Sequence, residues 1–263
     1  MINKLKKAAR SLVALRQIVS NEIIFKAIKK DLHPEFSGKL NGSRILILSP
    51  HPDDEVIGCA GAIIKCVESQ GEVKVMHFTD GSGGFPEDFK PTRAERIEMA
   101  KKREEEAEKV KDFLAISDVV FLKYKDSSLT PTKNLINYLT QQIKNYKPDV
   151  IFVPSSLDTN QDHFETARTF YLASKNLPPN TTIMQYDVWS PTFANYYLDI
   201  DKEINSKLDA IKIYQSQIQS RDYSKAIEGL NRYRGTIYGK SKYAEAYLKT
   251  DLKTFQTLAK LVF

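Results

Sequence analysis

Short runs of apolar, mostly β-branched residues alternate along the chain with longer segments whose apolar positions recur every three or four residues. Ile45–Ser49, Val73–Thr79, Val119–Lys123 and Val150–Pro154 read as strands. Helices are predicted over Asp54–Ser69, ending at Gly71, over the highly charged stretch Pro91–Phe113, over Thr132–Lys144, and from Asp162 to about Lys175. Ile183–Val188 and Tyr196–Ile200 extend the set of strands, a helix follows over Lys202–Ile218, and Asp251–Leu261 closes the chain as a last helix. Strands separated by helices argue for an α/β fold with a mostly parallel sheet and helices on both faces.

Residues 2–30 follow a different pattern. Leu5, Ala8, Ala9, Leu12, Leu15, Val19, Ile23 and Ile28 are mostly three or four apart with lysines and arginines between them, which predicts a basic amphipathic helix, open to a break near Ser20-Asn21. His33-Pro34 and the polar run Ser37–Ser43 read as a linker. The chain thus divides into an N-terminal helical extension with its linker, residues 1–43, and a main domain, residues 44–263. A helix of this kind docks on its own protein or a second subunit, or else on a membrane surface or a partner.

Charge sharpens that division. The net charge of +6 suggests nucleic acid until it is located. Residues 1–45 hold ten Lys and Arg against three acidic residues, seven net positive charges, which leaves the remainder one net negative. The main domain has no excess positive charge to attract a polyanion, so nucleic acid is not expected as a partner. With 41% hydrophobic and 27% charged residues the chain is an ordinary globular protein with a sizeable core, not a low-complexity or disulfide-stapled one. Cys59 and Cys66, seven apart in an apolar periodic stretch, are expected to pack as small hydrophobes. Leu12–Leu15 is cut short by Arg16, too brief for a signal sequence, and no stretch reaches the roughly 18 apolar residues of a membrane span. The expected location is cytoplasmic, with peripheral membrane or protein contact through residues 1–30.

Ligands of open α/β sheets sit outside the carboxyl ends of the strands, so the turns after the strands are where chemistry is sought. The first strand ends in Ser49-Pro50-His51-Pro52-Asp53-Asp54-Glu55, with prolines and carboxylates where a phosphate-binding turn needs glycines. An imidazole and carboxylates suit a borderline divalent metal such as zinc. The strand Val150–Pro154 leads to Asp158-Thr159-Asn160-Gln161-Asp162-His163, which brings His163 to the same edge as His51. His51, Asp54 and His163 would leave a fourth position open, as catalytic zinc sites do, with Asp53 as a candidate base. By spacing alone the opposite reading also stands: a His beside Pro is often a surface turn, and Asp-Asp is a common helix cap. His77, inside the second strand, and His33, in the linker, are expected to do no chemistry.

Pro50-His51-Pro52-Asp53-Asp54-Glu55 after a first strand resembles the signature of the PIG-L/LmbE-like N-acetylglucosaminyl deacetylases. The resemblance continues in Thr79-Asp80-Gly81, Arg103-Glu104-Glu105-Glu106, Asp158–His163, Ile211–Gln217 and Tyr243–Tyr247, so it covers about residues 44–250. It implies a Rossmann-like fold and a zinc-dependent hydrolase that removes the N-acetyl group of an amino sugar in a glycan or glycoconjugate pathway, though iron, manganese or cobalt would also suit the ligands. It further implies His51, Asp54 and His163 as ligands, Asp53 as general base, Arg103 as a sugar contact and Asp162 as support for the ligands. Without it, Arg103 reads as a partner of Glu98 or Glu106 on a charged helix. Asn160 stands where the family often has a second histidine; it can donate to an oxyanion but cannot transfer a proton. Two other readings stay open: hydrolysis of another amide, such as that of a thiol conjugate, and a glycan-binding relative without turnover.

Overall fold

The computed structural model of the chain describes residues 34–40, 43–86, 88–177, 181–219, 221–238 and 240–263. The predicted amphipathic helix over residues 2–30, and His33, lie outside the described residues. In chain order the elements are β1 (Glu35–Ser37), β2 (Arg44–Ser49), α1 (Asp54–Glu68), β3 (Glu72–Thr79), α2 (Arg93–Leu114), β4 (Asp118–Tyr124), α3 (Lys133–Tyr146) and β5 (Val150–Pro154). They continue as α4 (Gln161–Ser174), β6 (Thr182–Tyr186), β7 (Tyr196–Asp199), α5 (Ile204–Ile213), α6 (Gln215–Ile218), α7 (Tyr223–Tyr238), β8 (Ala244–Asp251) and α8 (Leu252–Val262).

The strands form one eight-stranded sheet in the order β1-β7-β8-β6-β5-β2-β3-β4. Only β8 runs against its neighbours, β6 and β7; the other pairs are parallel. Strand alternation sends β2 side chains to two cores. Ile45 and Ile47 pack with Val56, Ile63 and Val110 of α1 and α2, while Leu46 and Leu48 pack with Leu139, Phe170 and Phe255 of α3, α4 and α8. Local chemistry sets the helix starts: Thr92 and Glu95 form a reciprocal capping box at α2, and Thr132 and Asp251 cap α3 and α8. Among the described residues no helix is long and apolar enough to cross a membrane.

Three stretches differ from their sequence reading. Phe36 and its neighbours, read as linker, form the edge strand β1 beside β7. The helix predicted over Lys202–Ile218 breaks at Tyr214, whose ring turns inward, giving α5 and α6. Helix α7 and strand β8 escape a periodicity reading because polar residues occupy buried positions: Asn231 and Arg234 in α7, Glu245 in β8. Each meets a partner distant in sequence: Asn231 Nδ2 donates to the Ala244 carbonyl, Arg234 pairs with Asp187, and Glu245 meets the Lys207 ammonium at 2.6 Å.

The chain runs outward from β2 through β3 to β4 and then returns to β5 on the other flank of β2. The order reverses between β2 and β5, and at such a switch point the carboxyl ends of the two strands open a crevice.

Candidate active site

The turn after β2 is under strain. Asp53 has φ 126 and ψ −28, a conformation that a residue with a side chain adopts at a cost of order 1–3 kcal/mol unless its surroundings hold it. Here they do. Its N–H donates to Glu55 Oε2 at 3.0 Å, and its Oδ1 lies 2.8 Å from Arg103 Nη2. Arg103, buried on α2, also donates to the Pro52 carbonyl and to that of Gly81 at 3.4 Å. Gly81, at φ +63, leaves room for it: a Cβ there would lie 2.8 Å from Arg103 Cδ. Glu55 in turn accepts from the Tyr214 hydroxyl, which explains why the α5–α6 helix breaks where it does.

Beside this turn His51 Nδ1, Asp54 Oδ2 and His163 Nε2 converge, with separations of 3.1, 3.2 and 3.2 Å. A tetrahedral ion with bonds near 2.05 Å has edges of roughly 3.3 Å, so the three atoms match one face of such a polyhedron. Each imidazole is oriented by a carboxylate behind it. His163 Nδ1 faces Asp158 Oδ2 at 3.3 Å, and His51 Nε2 faces Asp162 Oδ2 at 3.2 Å and Asp126 Oδ1 at 3.7 Å. Asp162 is itself fixed by the amides of Ser127 at 2.6 Å and Leu129 at 3.1 Å.

Electrostatics favour a cation at the same point. Burial alone would keep His163 neutral, yet Asp54 and Asp158 push it up to about 9, and carboxylates likewise raise His51. Burial opposes ionisation of Asp54, but the two imidazoles hold it well below the usual carboxylate range. A divalent ion can take the place of such protons. His51, Asp126 and Asp162 form a second convergent group, with one imidazole and two carboxylates against the two imidazoles and one carboxylate of the first, and nitrogen-rich donor sets suit a borderline ion such as zinc. The first group therefore fits a metal better.

Asp53 is not among the converging atoms; it stands next to them, and burial pushes its carboxyl up to about 7 against the pull of Arg103. Asn160 caps α4, its Oδ1 accepting from Asp162 N at 2.8 Å and His163 N at 3.4 Å. The cap takes the amide oxygen and leaves Nδ2 as its donor. A cleft of about 600 Å³ opens over these groups: its floor holds His51, Asp53, Asp54 and Asn160 and its rim holds Trp189, Arg221 and Tyr223, while His163 is fully buried beside them.

The structure thus brings together all seven residues singled out from the sequence: His51, Asp53, Asp54, Arg103, Asn160, Asp162 and His163. Arg103 pairs with Asp53 rather than with Glu98 or Glu106, and Glu106 instead accepts from Ser216. Sequence reasoning passed over Asp126, Asp158, Glu55 and Tyr214. The first two follow strand ends at the same sheet edge, which was a usable signal.

Comparison with known proteins places residues 46–174 in a match to the PIG-L family, described as GlcNAc-PI de-N-acetylase. The chain is 24% identical over 222 residues to the diacetylchitobiose deacetylase of Thermococcus kodakarensis, covering 77% of this chain and 81% of that one. It is 25% identical over 196 residues to a probable N-acetyl-α-D-glucosaminyl L-malate deacetylase 2 of Bacillus anthracis, covering 69% and 84%. The solved structure of N,N'-diacetylchitobiose deacetylase from Pyrococcus horikoshii with its inhibitor MPG superposes with a TM-score of 0.72 at 23% identity, covering 82% of this chain and 86% of that one. That likeness extends the fold beyond the family match.

Proposed function

Because residues 46–174 carry a PIG-L family domain, we propose that this protein is a zinc-dependent hydrolase that removes the N-acetyl group from an N-acetylated amino sugar or glycoconjugate. The observation that carries the reading is the meeting of His51 Nδ1, Asp54 Oδ2 and His163 Nε2 within 3.2 Å of one another at the floor of a cleft, with the Asp53 carboxylate, held by Arg103, beside them. Two relatives named as deacetylases of N-acetylglucosamine compounds support it.

His51, Asp54 and His163 would hold the ion, which when bound supplies Lewis acidity for the acetamide carbonyl and acidifies water. Asp53 takes the proton of the attacking water and returns it to the departing amine. Arg103, with its Nη1 and Nη2 groups committed to Asp53 and two carbonyls, keeps that carboxylate in place at the cleft floor. Asn160 donates from Nδ2 to the developing oxyanion, and since it cannot shuttle a proton, Asp53 handles both transfers. Asp158 and Asp162 orient the two imidazoles.

The test is metal analysis of the purified protein, with acetate release measured over a panel of N-acetylated sugars before and after chelation, and after reloading with zinc, iron, manganese or cobalt. Metal-dependent acetate release is expected, with zinc restoring it. Undiminished release after complete chelation, or no release from any sugar by metal-loaded protein, would overturn the proposal.

A further inference from the structure

The part of the rim built by Trp189, Arg221 and Tyr223 lies beyond the 46–174 family match, and its chemistry differs from that of the floor. The floor is acidic: Asp53, Asp54 and Asp126 line it, and the one cation there, Arg103, is paired with Asp53. At the rim stands Arg221, exposed, with its guanidinium 4.9 Å over the Trp189 ring and 6.0 Å over that of Tyr223. The two rings meet edge to face at 6.3 Å. Among the described residues no carboxylate forms an ion pair with Arg221; the adjacent Asp222 pairs instead with Lys225 at 3.0 Å and accepts from Ser224 at 2.7 Å.

The platform under this cation is anchored from two sides. Trp189 N donates to Asp158 Oδ2 at 3.1 Å, the same carboxylate oxygen that faces His163. Two residues earlier, Asp187 is paired with buried Arg234 and accepts from Thr192 N at 2.8 Å. Trp189 is therefore fixed relative to the floor, and a cation covers one of its faces, so a sugar ring cannot lie on that face while Arg221 remains. A neutral substrate end gains little from such a rim, whereas an anionic one gains charge-assisted hydrogen bonds from a guanidinium already positioned by stacking.

We propose that Arg221, supported by Trp189 and Tyr223, forms an anion subsite that selects N-acetylated sugars carrying a carboxylate or phosphate in the anomeric substituent over sugars with a neutral one. The inference rests on the deacetylase reading for which end of the substrate enters the floor. Titration calorimetry with compounds that cannot turn over tests it: glucosaminyl L-malate, glucosamine 1-phosphate and methyl glucosaminide carry the same amine and differ only in the anomeric substituent. Wild-type protein should bind at least one anionic compound about 10-fold more tightly than the methyl glycoside, the effect of one charge-assisted hydrogen bond. Arg221→Gln should remove that preference while changing methyl glucosaminide affinity by less than about 2-fold, and Arg221→Lys should keep part of it. The two anionic compounds tell a carboxylate site from a phosphate site. Equal binding of all three compounds, or an equal loss for all three in Arg221→Gln, would overturn the proposal; a loss confined to the methyl glycoside would assign the rim to sugar stacking instead. Acetate release is measured separately on the acetylated forms. Selective binding without turnover would sink the deacetylase reading and leave the subsite standing, and turnover without selectivity would do the reverse.

Discussion

Asp53→Asn separates chemistry from scaffold at the strained turn. Asn tolerates left-handed backbone as well as Asp does, so the strain at φ 126 is unchanged. The amide oxygen can still accept from Arg103; what disappears is the negative charge and the ability to take a proton. Arg103 is 3% exposed and would be left with only carbonyl and amide acceptors. Removing one member of a buried pair outright costs about 3–5 kcal/mol, but with an acceptor retained the loss is nearer that of a charge-assisted hydrogen bond, about 1.5–3 kcal/mol. For a chain of this size that corresponds to a fall in Tm of roughly 3–12 °C. Turnover should fall much further, by about 10²–10⁴-fold, as for loss of a general base. Metal content should not change, because none of the three converging atoms belongs to Asp53, whereas Asp54→Ala should lose the ion. Thermal melts, elemental analysis and initial rates of acetate release on one preparation measure all three quantities. Wild-type kcat in Asp53→Asn would place the base elsewhere, and a metal loss matching that of Asp54→Ala would make Asp53 a ligand.

The remaining predictions use the same logic at other positions. Asp158→Asn should weaken metal binding by about 10–100-fold in a chelator competition, since it removes the charge that orients His163; unchanged affinity would remove Asp158 from the site. Lys207→Met should lower stability by about 3–5 kcal/mol, because it strips the ammonium from the fully buried Glu245 while leaving the Gly61, Ala62 and Tyr247 donors in place; a melt within a degree of wild type refutes this, and activity at 25 °C should survive. Asn160→Asp keeps the helix cap and removes the amide donor, so the rate should fall by about 10²–10³-fold with stability preserved; an unchanged rate makes Asn160 a capping residue only. Deleting residues 1–30 should reduce co-sedimentation with anionic liposomes, each basic residue near the surface contributing about 1 kcal/mol at low salt; equal sedimentation of both forms would exclude membrane attachment through this segment.

How much of this was legible in the sequence depended on where each signal resided. Strands β2, β3 and β5 are buried on both faces, so they stand out as apolar runs, and the residues just past them are at once the site: His51 and Asp54 after β2, His163 at the start of α4 after β5. Elements whose buried positions are polar could not be read locally. Nothing near Glu245 reveals that Lys207 and the amides of α1 will receive it, and nothing near Tyr214 reveals that its hydroxyl meets Glu55. Arg103 shows the limit most clearly: its helix neighbours Glu98 and Glu106 were reasonable partners by spacing, but the side chain turns inward to Asp53. Helical spacing describes the surface of a helix and says nothing of a residue that leaves it for the core.

The floor of the cleft is held by segments far apart in the chain. Asp53 alone depends on Glu55 in α1, Arg103 in α2 and, through Glu55, Tyr214 between α5 and α6. A change in any of them relaxes the strained turn that presents both the carboxylate and the neighbouring ligands, so the floor tolerates little variation. The rim is tied to the floor through the Trp189 backbone amide on Asp158, but its side chains are under no such constraint. Trp189 and Arg221 lie on connections after β6 and before α7, where a side-chain substitution changes the mouth of the cleft without touching the converging donors. The proposed chemistry and the proposed substrate choice are therefore encoded in different parts of this chain. The proposed metal ligands and base lie within 46–174, where a strand-end motif exposes them to a sequence reading, and the proposed anion subsite lies in surface connections whose meaning emerges only when Arg221 is seen stacked on Trp189 at the mouth of the same cleft.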